Sequence, residues 1–266
     1  MHPPLTMVTA SRPGRVQRLL GGIALVVGFW WLATGLIVAV ERNDTTRLIG
    51  VITATWLLLV AVVLAWRVRH DTTPRGAVVG FLAGALVWLW LSSLFYAGVI
   101  VGPSVSVPPD LGQAPSWPLA FRAIVATGWH DLLTIAVLGA IYLLPARNVT
   151  AWQVLGLFWV VQQAAKLNVF LGVPNAGVRF LPPKLVFLTA FFGPPHFTPW
   201  LALSIVVAAL VAAWLARRAW RAATPHDRWR LGLLALLAFL AAVEYAVLAV
   251  PADLPFWDPF LRARDP

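Results

Sequence analysis

Seven apolar stretches, each of roughly 20 residues, constrain this chain more than anything else, because that length crosses the hydrocarbon core of a bilayer. They are Leu19–Val40, Leu48–Trp66, Gly76–Val101, Pro118–Leu144, Trp152–Leu171, Trp200–Ala216 and Leu231–Val250. In lipid each must be a helix, since only a helix satisfies its backbone polar groups within its own segment. The expected fold is therefore all-α, a polytopic integral membrane bundle of about seven transmembrane helices. With 60% hydrophobic and 11% charged residues, a soluble domain of this size could not hide its apolar surface.

Basic residues set the orientation. Arg12, Arg15 and Arg18 precede the first run, and Arg67, Arg69, Arg75, Arg147 and five arginines between 217 and 230 fall on the same side. The other side holds about half as many. The first end is thus expected in the cytoplasm. The first run is too long for a secretory signal and has no small-x-small cleavage site, so it reads as a retained anchor. Three parts follow: a cytoplasmic tail 1–18, a single transmembrane domain 19–250 and a periplasmic tail 251–266. Within the domain, 179–199 holds a short apolar stretch bracketed by prolines, expected to lie at the interface or to re-enter. Gly102–Pro118 is Pro-rich and cannot be helical throughout. Phe256, Trp257 and Phe260 read as interfacial anchors, as do Trp66, Trp117, Trp152 and Trp200 at the ends of runs.

The formal charge of +10 sits in short loops beside apolar runs. That placement matches topology signals and anionic headgroups, so membrane lipids are expected as partners and nucleic acid is not. There is no cysteine, which excludes disulfides, thiolate metal sites and thiol nucleophiles. No phosphate loop, nucleophile elbow or zinc constellation occurs. The Asn-x-Thr triplets at Asn43 and Asn148 carry no weight.

Two small-residue stripes mark helix packing: Gly76, Gly80 and Gly84 in the third run, and Ser204, Ala208 and Ala212 in the sixth. They suit close approach of another backbone, either inside the bundle or from a partner's helix.

Ionisable groups inside the runs are costly and must face the bundle. Arg122, Asp131, Lys166 and Glu244 are of this kind, with Gln162 and Asn168 beside them. Depth makes Lys166–Glu244 the natural ion pair, with Arg122 as competitor. Gln162 and Lys166 share a face by i, i+4 spacing and can meet the stripe Thr127, Asp131, Thr134. Asn168 is turned away from Lys166 and could receive the chain where Gly172 and Pro174 end the helix. Such a network fixes helix register; the alternative is a proton path or ligand site. His130 is a hydrogen-bonded core histidine, or else a ligand for a divalent metal or for the magnesium of a chlorin, with small Ala126 one turn before it.

The stretch "FWVVQQAAKLNVFLGVPN", followed by "RFLPPKLVFLTAFF", resembles the photosynthetic complex assembly proteins of the PuhE type. "VWLWLSSLFYAGVIVGP", "GWHDLL" and "VEYAVLAVP" extend the likeness over roughly 87–251, most specifically in 166–175. The resemblance implies a protein of the cytoplasmic or intracytoplasmic photosynthetic membrane. It also implies a role in assembling the reaction centre and light-harvesting antenna, with an influence on bacteriochlorophyll supply. Reaction-centre and light-harvesting subunits would be its partners. The family carries His-Glu where this chain has Leu91-Ser92, and His where it has Tyr245. Of a His/carboxylate metal site between helices this chain keeps His130, Asp131 and Glu244. Those three could hold a divalent metal, or His130 alone bacteriochlorophyll. The loss of two imidazoles favours a scaffold over a membrane metal enzyme acting on a pigment or quinone.

Overall fold

The computed structural model describes residues 14–106, 116–252 and 255–265. It is a polytopic helical membrane bundle, with no strand among the described residues. The helices are α1 Arg15–Ala39, α2 Asp44–Val68, α3 Pro74–Tyr96, α4 Trp117–Ala126, α5 Gly128–Tyr142, α6 Thr150–Leu171, α7 Pro199–Arg221, α8 Pro225–Leu248 and α9 Asp258–Arg264. Six of these are long and apolar enough to span a membrane, and α4 with α5 forms one bent pair. The Pro-rich segment expected between the third and fourth spans lies partly outside the described residues, as does the tail before 14.

Local sequence explains where the helices start. Thr73-Pro74, Thr198-Pro199 and Thr224-Pro225 each place a hydroxyl at the N-cap and a proline in the first turn. The hydroxyl accepts from a free backbone N–H, and the proline has no N–H to leave unsatisfied. Thr198 Oγ1 accepts from the Leu201 N–H at 3.1 Å, and Thr224 Oγ1 from Asp227 at 3.0 Å. Asn43 caps α2 through the Thr46 N–H at 2.9 Å.

The main core joins α1, α3, α6, α7 and α8 around Phe81, Val154, Phe158, Leu233 and Leu237. Trp88 stacks on Phe158 with centroids 4.5 Å apart. A second core closes the end away from the arginine-rich loops, where Leu119 and Ala123 of α4 meet Phe170 of α6 and Leu185, Leu188 and Phe191. The last three belong to a 3-10 segment, Pro183–Phe191, so the proline-bracketed stretch is an internal wall of the bundle as well as a short apolar element.

The fourth run is not one helix. It breaks at Thr127, where α4 and α5 meet at 67°. With 10 and 15 residues, neither half alone reaches across a bilayer core of about 30 Å. The third run also ends early: α3 stops at Tyr96, and the chain from 97 to 106 runs back non-helically along the break. There the His130 N–H donates to the Val101 carbonyl at 3.0 Å. Gly102 lies so close that a Cβ on it would overlap the Ala126 carbonyl oxygen. One irregular segment thus fills the gap left by the other, which is how broken backbone survives at membrane depth.

Both glycines of the α3 stripe that face α6 are used inside the bundle. A Cβ at Gly80 would come within 2.9 Å of Thr150, and one at Gly84 would overlap the Ala151 carbonyl. Gly76 abuts the turn at Asp71. Ser204 and Ala212 of α7 are buried, while Ala208 lines an apolar cleft between α6 and α7. Two of the aromatic tail anchors, Trp257 and Phe260, are half-buried against α1. Trp257 packs on Trp30 at 5.1 Å and Phe260 on Trp31 at 5.0 Å, while Phe256 remains exposed. Gly35 leaves room for the Phe260 ring.

Candidate functional site: a neutralised polar cluster at a helix break

The break at Thr127 turns the first residues of α5 towards the second half of α6. Asp131 of α5 and Lys166 of α6 meet there, their side chains only 12% and 9% exposed. Lys166 Nζ donates to Asp131 Oδ1 at 2.8 Å, to Oδ2 at 3.0 Å and to Thr127 Oγ1 at 3.2 Å. All three ammonium protons therefore have acceptors. Gln163 Nε2 donates to Asp131 Oδ1 at 2.8 Å, and Thr127 Oγ1 lies 3.5 Å from Oδ2. The ammonium also stands 5.4 Å from the Phe95 ring centroid, a distance at which the ring face attracts a cation. The cluster is electrically neutral and closed, the condition under which buried charge is tolerated.

The residues expected to form this network divide. Asp131 and Lys166 come together; Arg122 and Glu244 do not join them. Arg122 is exposed and donates to the Ser106 carbonyl at 3.2 Å, because α4 packs on α6 through Leu119 and Ala123 and leaves Arg122 on its other face. Glu244, half-buried on α8, lies beside the Trp30 indole and has no ion-pair partner among the described residues. The expected Lys166–Glu244 pair is thus replaced by Lys166–Asp131. The glutamine in the cluster is Gln163 rather than Gln162; i, i+3 spacing from Lys166 shares a face as well as i, i+4 does.

Asn168 is fully buried, and neither side-chain atom has a hydrogen-bond partner. It does not receive the chain end through its amide; its backbone carbonyl accepts from Gly172 at 3.0 Å. The turn itself is built by Gly172 and Asn175. Gly172 has φ +106, and a Cβ there would sit 2.5 Å from the Pro194 carbonyl. The Asn175 N–H donates to the Leu248 carbonyl at 3.0 Å, and Asn175 Nδ2 to Ala252 at 3.0 Å. The polar end of α6 therefore has two tasks, neutralising Asp131 and stitching the chain to the end of α8.

His130 is 1% exposed and packs against Phe95, centroids 4.9 Å apart. Its Nδ1 lies 3.5 Å from Asp131 Oδ1, but neither ring nitrogen has an aligned hydrogen-bond partner. Both ring nitrogens are enclosed by protein, leaving no space beside either for the magnesium of a flat macrocycle. Nor do His130, Asp131 and Glu244 gather: among the described residues no three His, Asp or Glu side chains are placed to hold a metal ion.

A second polar junction, at the arginine-rich end, escaped the sequence reading. Asn148 Nδ2 donates to the carbonyls of Gly76 (2.8 Å) and Val68 (3.2 Å). Its Oδ1 accepts from Thr150 N (3.1 Å) and Oγ1 (2.6 Å) and faces His226 Nε2 at 3.3 Å. One buried amide so ties the ends of α2, α3, α6 and α8. The signal was the Asn-x-Thr triplet, which reads equally well as a capping turn.

Residues 17–266 match the model of the family described as "Protein of unknown function (DUF3623)". The chain belongs to the DUF3623 family. It is also 28% identical over 244 residues to a Rhodobacter capsulatus protein described as "Uncharacterized 30.4 kDa protein in puhA 5'region", covering 88% of each chain. No solved structure matches. The Lys166–Asp131 cluster, the Gly172 turn and the Asn148 junction all lie within the family region.

Proposed function

We propose that this DUF3623 member is an assembly or scaffold factor of the bacterial photosynthetic reaction centre and light-harvesting complex, of the PuhE type, with an influence on bacteriochlorophyll supply. The observation that carries the reading is the Rhodobacter capsulatus relative, described by its place in the puhA 5' region. The Lys166–Asp131 pair, engaged with each other and with Gln163 and Thr127, fits a network that holds helix register in a scaffold. On this reading the chain sits in the cytoplasmic or intracytoplasmic membrane with its arginine-rich end in the cytoplasm. Reaction-centre and antenna subunits are its partners. The test is affinity purification of a tagged chain from phototrophically grown cells in mild detergent. Reaction-centre or antenna polypeptides should co-purify; their absence from a monodisperse, folded preparation overturns the proposal.

A further inference from the structure

Acidic side chains in the spanning helices each have a cation beside them, with one exception. Asp44 has Arg47, Asp131 has Lys166 and Asp227 has Arg230. Glu41, at the end of the first span, also has Arg47, at 2.7 Å. Glu244 has no cation among the described residues. A lone carboxylate in a spanning helix is costly and persists there when something from outside neutralises it. The neighbours of Glu244 are aromatic. The Trp30 indole of α1 lies beside the carboxylate, and Tyr96, the last residue of α3, stands within range of its charge. All three residues are half-buried. Neither carboxylate oxygen nor the Tyr96 hydroxyl is sealed in by protein, unlike the Asn168 amide. Glu244 is one turn, about 6 Å, before the end of α8. The group therefore sits at the end of the bundle away from the arginine-rich loops, near the headgroup level.

We infer that Glu244, flanked by Trp30 and Tyr96, binds an organic ammonium group, free in solution or carried on an aminophospholipid headgroup. Charge complementarity asks for a cation, and the surroundings choose which. A metal ion takes several oxygen or nitrogen ligands, and among the described residues no three His, Asp or Glu side chains are placed together here or elsewhere. An ammonium needs one carboxylate, and the remaining neighbours are an indole and a phenol, rings whose faces attract such a cation. A partner's helix is too bulky, because Trp257 and Phe260 of the tail already pack on Trp30 and Trp31. The inference stands independently of the assembly reading.

The test uses the full chain in nanodiscs of phosphatidylglycerol, which carries no amine, and has two arms. One adds radiolabelled ethanolamine and reads equilibrium binding. The other adds phosphatidylethanolamine to the bilayer and reads retained lipid by native mass spectrometry. Glu244→Gln removes the charge but keeps the size and an acceptor for the indole. Trp30→Leu removes a ring and leaves the carboxylate in place. Asp44→Asn removes a carboxylate that is exposed and already paired with Arg47. Elution as a single species shows that each variant folds. In one arm or both, the wild type and Asp44→Asn should bind saturably. Glu244→Gln should bind at least about tenfold more weakly, the worth of a charge-assisted hydrogen bond, and Trp30→Leu should also be weakened. Binding in the lipid arm alone assigns the ammonium to a headgroup, and binding of ethanolamine to a free amine. Saturable binding in neither arm overturns the inference. So does unchanged affinity in Glu244→Gln or Trp30→Leu, or displacement by sodium at the same concentration as ethanolamine.

Discussion

Replacing Lys166 by Met should destabilise the bundle far more than removing the whole ion pair. At 2.8 Å the Lys166–Asp131 attraction is about 6 kcal/mol for an effective dielectric of 20. Most of that offsets the cost of taking both charges out of water, so the pair itself adds little net stability. Removing one partner is different, because it strands the other. In Lys166→Met the Asp131 carboxylate keeps Gln163, Thr127 and the His130 ring, whose Nδ1 is 3.5 Å away, but no lysine ammonium. The loss for a stranded buried charge is about 3–5 kcal/mol. Asp131→Leu should cost a similar amount by stranding the ammonium. The double variant removes both charges and should lie much closer to the wild type than either single, giving a coupling energy above about 2 kcal/mol. Reversible unfolding in mixed micelles measures all four corners of the cycle. Single effects below about 1 kcal/mol, or a double equal to the sum of the singles, would refute the claim that buried charge is neutralised locally at the break.

Gln163→Leu should lower stability by about 1–3 kcal/mol in the same assay, since it removes a donor to a buried carboxylate, while Gln162→Leu should be near neutral. Gly84→Val should prevent recovery of folded protein or lower its unfolding midpoint strongly, because the Ala151 backbone occupies the space the side chain needs. Asn148→Ala should cost about 1–3 kcal/mol by leaving the Gly76 carbonyl and its neighbours unpaired, with Asn148→Asp no better, as the carboxylate brings no donor. Alkaline phosphatase fused after Arg264 should be active in the periplasm if the arginine-rich end is cytoplasmic, and a fusion within 145–148 should be inactive.

The number of spans, the helical class and most of the helix starts were written in the chain. Hydropathy is summed over neighbours in sequence, and a Thr-Pro cap acts within a single turn, so both are local quantities. Asp131, Lys166 and Asn168 could be named in advance as buried, since their cost in lipid does not depend on what they meet, whereas Arg122, named with them, is exposed. Which of them meet was decided by tertiary structure. Lys166 could have faced Glu244 or Asp131 from sequence depth alone. The 67° bend at Thr127, held open by the Val101–Gly102 segment, aims Asp131 at α6, while α4 packs Leu119 and Ala123 on α6 and leaves Arg122 exposed. A bend depends on a segment some 25 residues away lodging in the gap, and no window of local sequence contains both. For the same reason Asn148 looked like an ordinary triplet until three distant helix ends were brought to it.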